Sequence, residues 1–257
     1  MPPSKRPSKW SRNLPDTALY HGGPASNGLK ALLALYEKGV EFEPRFIDLR
    51  KFRQHEPDYL KINPAGQVPA LLHQGRILTE STVIAEYVDA VFDGPPLRPA
   101  DEWDRAQMRI WTKYVDEVFR PSLSFLAWQA MMPGLRAAMG EENFEERLKH
   151  IPLAEKRDKW ELAAKGGFSE REIATWRRNL EEVTARIEQG LAEGSFLVGD
   201  TPTLADYACF AMGYMMPVGH PDLVNPERTP RMIAWIERLK QRPGVQRAIT
   251  VPTPGRE

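Results

Sequence analysis

The sequence contains one cysteine, Cys209, in 257 residues. A single cysteine excludes any disulfide within the chain and is typical of proteins that work in a reducing compartment. Cys209 lies in the apolar stretch LADYACFAMGYM, and this setting favours a buried thiol over a reactive one. We therefore expect a cytoplasmic protein with Cys209 in its core.

The sequence also lacks any run of about 18 apolar residues, so we expect no membrane-spanning helix. Basic and acidic residues balance at 35 each, which gives no general attraction to nucleic acid or to a membrane. Residues 1–16 carry four basic residues and no apolar segment, so they do not resemble a secretory signal. We interpret them as a flexible extension; a basic contact arm is the less favoured alternative.

Motifs for phosphate or metal binding are missing as well. There is no glycine-rich phosphate loop, no HExxH and no cysteine pair, and the five histidines are widely spaced. The sequence predicts no metal site.

The first half of the chain alternates between strand and helix patterns. The sequence predicts strands at 17–21 and 40–48, with a helix from residue 29 to a stop at Gly39. Pro44 indicates that the second strand is an edge strand or contains a bulge. The stretch NPAGQVPALLHQGRILTES, residues 63–81, predicts a hairpin that turns at Gln74–Gly75. A helix over 79–92 follows, capped by Thr79 or Ser81. The order β-α-β-(α)-β-β-α indicates a thioredoxin-like α/β domain over residues 17–93.

Strand patterns stop after a linker rich in proline and glycine at 94–101. The sequence predicts an all-helical domain over 102–249 and a short tail over 250–257. Within the helical domain, Pro121 is expected to kink a helix, and residues 134–168 have weaker periodicity. Thr203 and Asp206 are spaced as a helix N-cap and its reciprocal acid.

Three motifs in this order resemble those of the glutathione S-transferases, over about residues 17–248. They are Val68-Pro69 before the hairpin, Glu80-Ser81 at the start of the next helix, and Thr203-x-x-Asp206. Within that superfamily the chain is most similar to the bacterial lignin β-aryl etherases. The insertion EENFEERLKHIPLAEKRDKW is the more specific part of this resemblance. A bacterial class with an active-site asparagine is the second relative.

The resemblance implies a site for glutathione. A cis peptide bond between Val68 and Pro69 would expose the Val68 backbone to the cysteinyl unit, and Glu80 and Ser81 would bind the ammonium and carboxylate of the γ-glutamyl unit. A plain helix cap is the alternative role for Glu80-Ser81. The glycyl carboxylate would be bound by Gln54 or His55, with help from Gln67.

The first loop, Pro24-Ala25-Ser26-Asn27-Gly28, would hold the sulfur. It has no cysteine, which argues against a mixed disulfide with glutathione. Asn27 is the first candidate to donate a hydrogen bond to the thiolate, and Ser26 is the second. A donor to the anion favours ionisation of the thiol. The alternative is that either residue only caps the following helix.

The implied reaction is cleavage of β-O-4 aryl ethers of α-keto aromatics, in which the thiolate of glutathione displaces a phenol. Glutathione is then a consumed cosubstrate. Aromatic residues of the helical domain would line the substrate pocket, although most aromatics at helical spacing belong to the core. The family further implies a dimer, either a homodimer or one with a sister chain. A transferase for another electrophile and a non-catalytic binding module remain the alternatives. The pocket candidates are Trp111, Tyr114, Trp128 and Tyr214.

Overall fold

The computed structural model describes residues 16–254. The predicted N-terminal extension therefore lies outside the described residues, except for Asp16. A four-stranded sheet in the order β2-β1-β3-β4 forms the first domain, in which β1 and β2 are parallel and the other pairs antiparallel. This confirms the thioredoxin-like arrangement. The strands are β1 Thr17–His21, β2 Glu43–Phe46, β3 Ala70–His73 and β4 Arg76–Thr79.

Two details of the sheet agree with the sequence pattern. Pro44 lies in the edge strand β2, where its missing N–H interrupts no further strand pairing. Gln74 and Gly75 form the two-residue turn of the hairpin with φ values of 50° and 75°. Two positive φ values match the twist of the flanking strands.

Three α-helices and two short 3₁₀ helices, Leu49–Lys51 and Arg53–His55, complete the first domain. The α-helices are α1 Gly28–Glu37, α2 Pro57–Leu60 and α3 Ser81–Val91. The predicted cap of α3 was wrong. Its N-cap is Glu80, with φ 69° and no capping side-chain hydrogen bond, rather than Thr79 or Ser81. Because β4 ends at Thr79 and α3 begins at Ser81, the whole change of direction falls on Glu80.

The second domain is all-helical, as predicted. Pro121 does not produce a simple kink: α4 passes into a π-helical turn over Val115–Phe119, and α5 begins directly after it. A widened turn accommodates a proline that cannot donate to the preceding turn. The helices are α4 Glu102–Tyr114, α5 Arg120–Met139, α6 Glu141–Lys149, α7 Ala154–Ala164, α8 Glu170–Gly190, α9 Leu204–Gly213, α10 Met216–Gly219, α11 Pro230–Lys240 and α12 Pro243–Ile249.

The weakly periodic region is helical too, because α5 continues through Pro133 and is followed by α6 and α7. These helices share a separate small core with Phe52 of the first domain. Phe144 and Trp160 contact the Phe52 ring edge-on, at centroid distances of 5.8 Å and 5.3 Å. The insertion is therefore a helical hairpin docked on the thioredoxin-like domain.

The main helical core is organised around α9. Thr203 and Asp206 form the predicted capping box. Asp206 is fully buried and also accepts from the Leu197 N–H at 2.9 Å and from the Trp235 indole at 3.0 Å. Cys209 is buried beside it, as expected. No helix within residues 16–254 is long and apolar enough to span a bilayer.

Candidate active site

A cleft of about 420 Å³ lies between the two domains. The thioredoxin-like domain lines it with the first loop, Gln54 and the segment 66–68, and the helical domain lines it with α5, α7, α9 and the residues after α9. The cleft thus joins the predicted sulfur loop to a helical wall. The residues of that wall are Arg120, Leu123, Ser124, Ala127, Trp128, Met131, Lys156, Trp160, Ala211, Met212, Tyr214 and Met215.

The stretch NPAGQVP forms a rigid edge of this cleft. The Tyr59 hydroxyl and the Asn63 side-chain amide both donate to the carbonyl oxygen of Gln67, at 2.7 Å and 2.8 Å. Gly66 has φ 61°, and a Cβ there would lie 2.7 Å from Cδ2 of His55. The Val68–Pro69 peptide bond is cis, as expected. Gln67 and Val68 both line the cleft.

Ser26 and Asn27, the two candidates to bind the sulfur, differ in their hydrogen bonds within the first loop. Ser26 Oγ donates to the Gly23 carbonyl at 2.8 Å and accepts from the Gly28 N–H at 3.1 Å. Its hydroxyl is thus already committed to the turn before α1. Asn27 is the N-cap residue of α1 but makes no capping hydrogen bond with its side chain, and it lines the cleft. The capping role falls to Ser26, and the Asn27 amide remains available to a ligand.

His21 stabilises the first loop through a hydrogen bond with Gly23. It is fully buried, and its Nδ1 accepts a hydrogen bond from the Gly23 N–H at 3.1 Å. Burial lowers the pKa of His21 to about 4. A neutral imidazole with an unprotonated Nδ1 is the form that fixes Gly23.

Glu80 and Ser81 lie at the start of α3 and do not form part of the cleft wall itself. Ser81 is buried, whereas Glu80 is exposed. The Glu80 carboxylate acts electrostatically on Lys30, Arg120 and Lys156, so it lies near the cations at this end of the cleft. Their role in binding glutathione stays a prediction.

Gln54 and His55 have different surroundings. Gln54 lines the cleft, and its buried Oε1 accepts no hydrogen bond from any described residue. His55 is not on the cleft wall, because its ring packs between Phe52 and Trp160 at 5.9 Å and 5.8 Å. Burial, with the Lys156 charge adding to it, lowers the pKa of His55 to about 4. Of the two alternatives, Gln54 has direct access to a ligand and His55 does not.

Two of the four aromatic pocket candidates line the cleft. Trp128 and Tyr214 line the cleft, and the Tyr214 hydroxyl reaches the Pro24 carbonyl at 3.5 Å. Trp111 and Tyr114 do not line it. Both rings stack on the guanidinium of Arg186 in α8, at 4.8 Å and 4.3 Å from their centroids. Helical periodicity alone does not reveal which neighbouring helix an aromatic face meets.

Three residues that the sequence prediction missed also line the cleft: Arg120, Lys156 and Trp160. Lys156 and Trp160 are four residues apart in α7 and so share one face of it. That spacing within the insertion is the signal that would have indicated them. Arg120 has no comparable signal, because its position depends on the π-helical turn before α5.

Comparison with known proteins agrees with this architecture. Residues 15–90 match the glutathione S-transferase N-terminal domain, and residues 144–249 match the glutathione S-transferase C-terminal domain. Protein LigF of Sphingobium sp. (strain NBRC 103272 / SYK-6) is 44% identical over 234 residues, which are 89% of this chain and 91% of LigF. Glutathione S-transferase 3 of Zea mays is 28% identical over 91% of this chain and 94% of its own. This chain belongs to the glutathione S-transferases.

Solved structures give the same result. The crystal structure of beta-etherase LigF from Sphingobium sp. strain SYK-6 superposes with a TM-score of 0.86 at 42% identity, covering 91% of this chain and 98% of that one. Glutathione transferase F7 from Populus trichocarpa superposes with a TM-score of 0.68 at 26% identity, covering 90% of this chain and 97% of that one. The similarity to LigF therefore extends across both domains and the cleft between them.

Proposed function

We propose that this protein is a glutathione-dependent β-etherase that cleaves β-O-4 aryl ethers of α-keto aromatics. The observation that carries the proposal is the cleft itself. It places a cysteine-free first loop, with the Asn27 amide uncommitted, opposite a wall of apolar and aromatic side chains. The similarity to beta-etherase LigF over nearly the whole chain supports the choice of electrophile.

The reaction is a direct displacement. The thiolate of glutathione attacks the β-carbon, a C–S bond forms, and the C–O bond to the aryl group breaks. The bonding pair leaves with the phenolate, which takes a proton from solvent. The neighbouring ketone activates the carbon, so the protein has to align the reactants and stabilise the thiolate.

Asn27 and the start of α1 supply that stabilisation. The Asn27 amide would donate to the sulfur, and the N-terminal end of the helix carries a partial positive charge. Each interaction favours the thiolate over the thiol and so lowers the pKa of bound glutathione. Ser26 supports the same loop from its hydrogen bonds to Gly23 and Gly28.

The helical wall would bind the two aryl groups of the substrate. Trp128 and Tyr214 contribute aromatic rings to this wall, and Leu123, Met131 and Met215 contribute flexible apolar side chains. Aromatic rings and methionine side chains suit an aromatic ligand whose rings are not coplanar.

Phenol release from the separated enantiomers of an α-keto β-aryl ether, with glutathione present, tests the proposal. We expect glutathione-dependent release of phenol and formation of a glutathione thioether. Binding of glutathione without ether cleavage would favour a transferase for another electrophile. Failure to bind glutathione at all would favour a binding module without catalysis.

We infer further that the protein acts in the reducing cytoplasm as a dimer. Support for a dimer comes from exposed apolar residues on α3 and α4: Val83, Trp103 and Ile110 are 49%, 71% and 47% exposed. The Arg109–Glu86 ion pair joins these two helices beside them. Light scattering at micromolar concentration should give twice the mass of the chain, and a monomer would contradict the inference.

A further inference from the structure

Two cations of the cleft wall have no anionic partner there. Arg120 begins α5 and Lys156 lies in α7, and both line the cleft, to which the described residues contribute no carboxylate. Lys30, at the same end of the molecule, is different, because its ammonium lies 2.5 Å from the Asp116 carboxylate and 3.1 Å from the Thr82 hydroxyl. Lys30 thus has a carboxylate in direct contact. Arg120 and Lys156 face the cavity, and Asp116 and Glu80 act on Arg120, and Glu80 on Lys156, only electrostatically.

Lys156 is held in place by the docking of α7. Trp160, one turn further along the same face, packs on Phe52 and His55. Pro152, four residues before Lys156, approaches Gly66. A Cβ on Gly66 would lie 3.1 Å from Cδ of Pro152. The face that carries Lys156 therefore covers the segment 52–67, which contains Gln54 and Gln67.

The charge of Arg120 also acts on Lys156. Burial, with the charge of Arg120 adding to it, lowers the pKa of Lys156 to about 8, and burial lowers the pKa of Arg120. Asp116 and Glu80 offset part of this effect on Arg120, and Glu80 offsets part of it on Lys156. Like charges that share a partly buried cavity are stabilised by an anion bound between them. On the opposite wall, Gln54 lines the same cleft, and its side-chain NH2 is a donor of the kind that a carboxylate accepts from.

We propose that Arg120 and Lys156 form a carboxylate-binding subsite for glutathione on the helical wall, with Lys156 directed to the glycyl carboxylate opposite Gln54. The thioredoxin-like domain would then bind the tripeptide from one side, and α5 and the inserted α7 would bind it from the other. This inference rests on the proposed function in one respect, that the protein binds glutathione. It does not depend on which ether is cleaved.

Calorimetric titration of the full-length protein with glutathione, without any ether, tests this subsite. We expect Lys156→Gln to weaken glutathione binding by roughly tenfold, the usual scale for one charge-assisted hydrogen bond. Arg120→Gln should weaken it to a similar degree. The matched control is Lys165→Gln, which removes a charge next to the C-terminal end of α7, where the ammonium pairs with Glu161 and lies outside the cleft. The control should bind glutathione as the wild type does.

The glycyl ethyl ester of glutathione tests which carboxylate Lys156 binds, because the ester lacks the charge of the glycyl carboxylate. If Lys156 binds the glycyl group, the ester should bind equally well to the wild type and to Lys156→Gln. Two results would overturn the proposal. In the first, Lys156→Gln binds glutathione as tightly as the wild type does. In the second, the substitution weakens binding of the ester by the same factor as binding of glutathione. If Lys156→Gln binds glutathione normally but releases phenol more slowly, the proposal is also overturned, and Lys156 would instead interact with the leaving phenolate.

Thermal unfolding keeps these outcomes interpretable. Lys156→Gln removes one of two like charges, so the variant should melt at or above the wild-type temperature. Because the titration needs no ether, a wild-type protein that binds glutathione but cleaves no ether contradicts the proposed function and leaves this subsite standing.

Discussion

The hydroxyl of Ser26 donates to the carbonyl oxygen of Gly23 at 2.8 Å, inside the loop that would hold the glutathione sulfur. Ser26 is thereby committed to the turn, while the neighbouring Asn27 side chain makes no cap to α1. Asn27→Ala should therefore raise the pKa of bound glutathione by less than about one unit, since a neutral donor contributes about 1 kcal/mol. The rate at neutral pH should fall by up to about tenfold and recover in part at higher pH.

Ultraviolet absorbance of the thiolate against pH measures this effect. Ser26→Ala serves as the comparison, because its main expected effect is a less ordered loop. An unmoved titration for Asn27→Ala together with an upward shift for Ser26→Ala would assign the sulfur to the serine. If neither variant shifts it, the backbone amides alone stabilise the thiolate.

Ser81→Ala should raise the glutathione concentration at half-saturation with little change in the rate at saturation. The buried Ser81 hydroxyl would contact the γ-glutamyl end in the ground state and the transition state alike. Loss of one charge-assisted hydrogen bond corresponds to roughly 1.5–3 kcal/mol. Steady-state kinetics with varied glutathione check this. Thr175→Ala, which removes a hydroxyl of α8 bonded to the Arg171 carbonyl, is the control; an unchanged half-saturation for Ser81→Ala would refute the role.

Stability should fall as pH drops from about 7 towards 5. The pKa of both His21 and His55 is about 4 in the folded protein, against an ordinary value of 6.5. The unfolded chain therefore binds protons that the folded protein does not bind over this range. Each histidine should lower the free energy of unfolding by about 1.6 kcal/mol between pH 6.5 and 5. Urea unfolding measures the slope, and His55→Phe should reduce it. A flat profile in the wild type would contradict the expectation.

Asp206→Ala should destabilise the protein strongly. Its carboxylate accepts from the backbone N–H groups of Leu197 and Thr203 and from the Trp235 indole. All of these donors are buried, so the loss of their acceptor should lower the free energy of unfolding by about 3–5 kcal/mol.

The comparison for Asp206 is Asp101→Ala. Asp101 is an exposed N-cap that accepts from the N–H groups of Trp103 and Asp104. Its loss should cost only about 1 kcal/mol, because water can replace the acceptor. Equal unfolding free energies for the two variants would show that the buried network contributes no more than an ordinary cap.

Local patterns in the sequence were sufficient for the frame of the site. The Gln74–Gly75 turn and the capping box of Thr203 and Asp206 both depend on residues close together in the chain, whereas the cis peptide bond at Val68–Pro69 was expected from the family resemblance. Turn chemistry and cap spacing are short-range properties, so one sequence specifies them. The two-domain order followed in the same way, from the end of strand patterns after residue 93.

Contacts between segments far apart in sequence decided which side chains of the helical domain line the cleft. Trp111 and Trp128 both lie on helices with suitable spacing, yet Trp111 stacks on Arg186 and only Trp128 reaches the cleft. Arg120 and Lys156 are separated by most of α5, α6 and the start of α7, and they face one cavity because α7 docks on Phe52. Periodicity gives the apolar face of a helix, but its orientation towards a neighbour is fixed by packing between residues far apart in sequence, which only the tertiary structure determines.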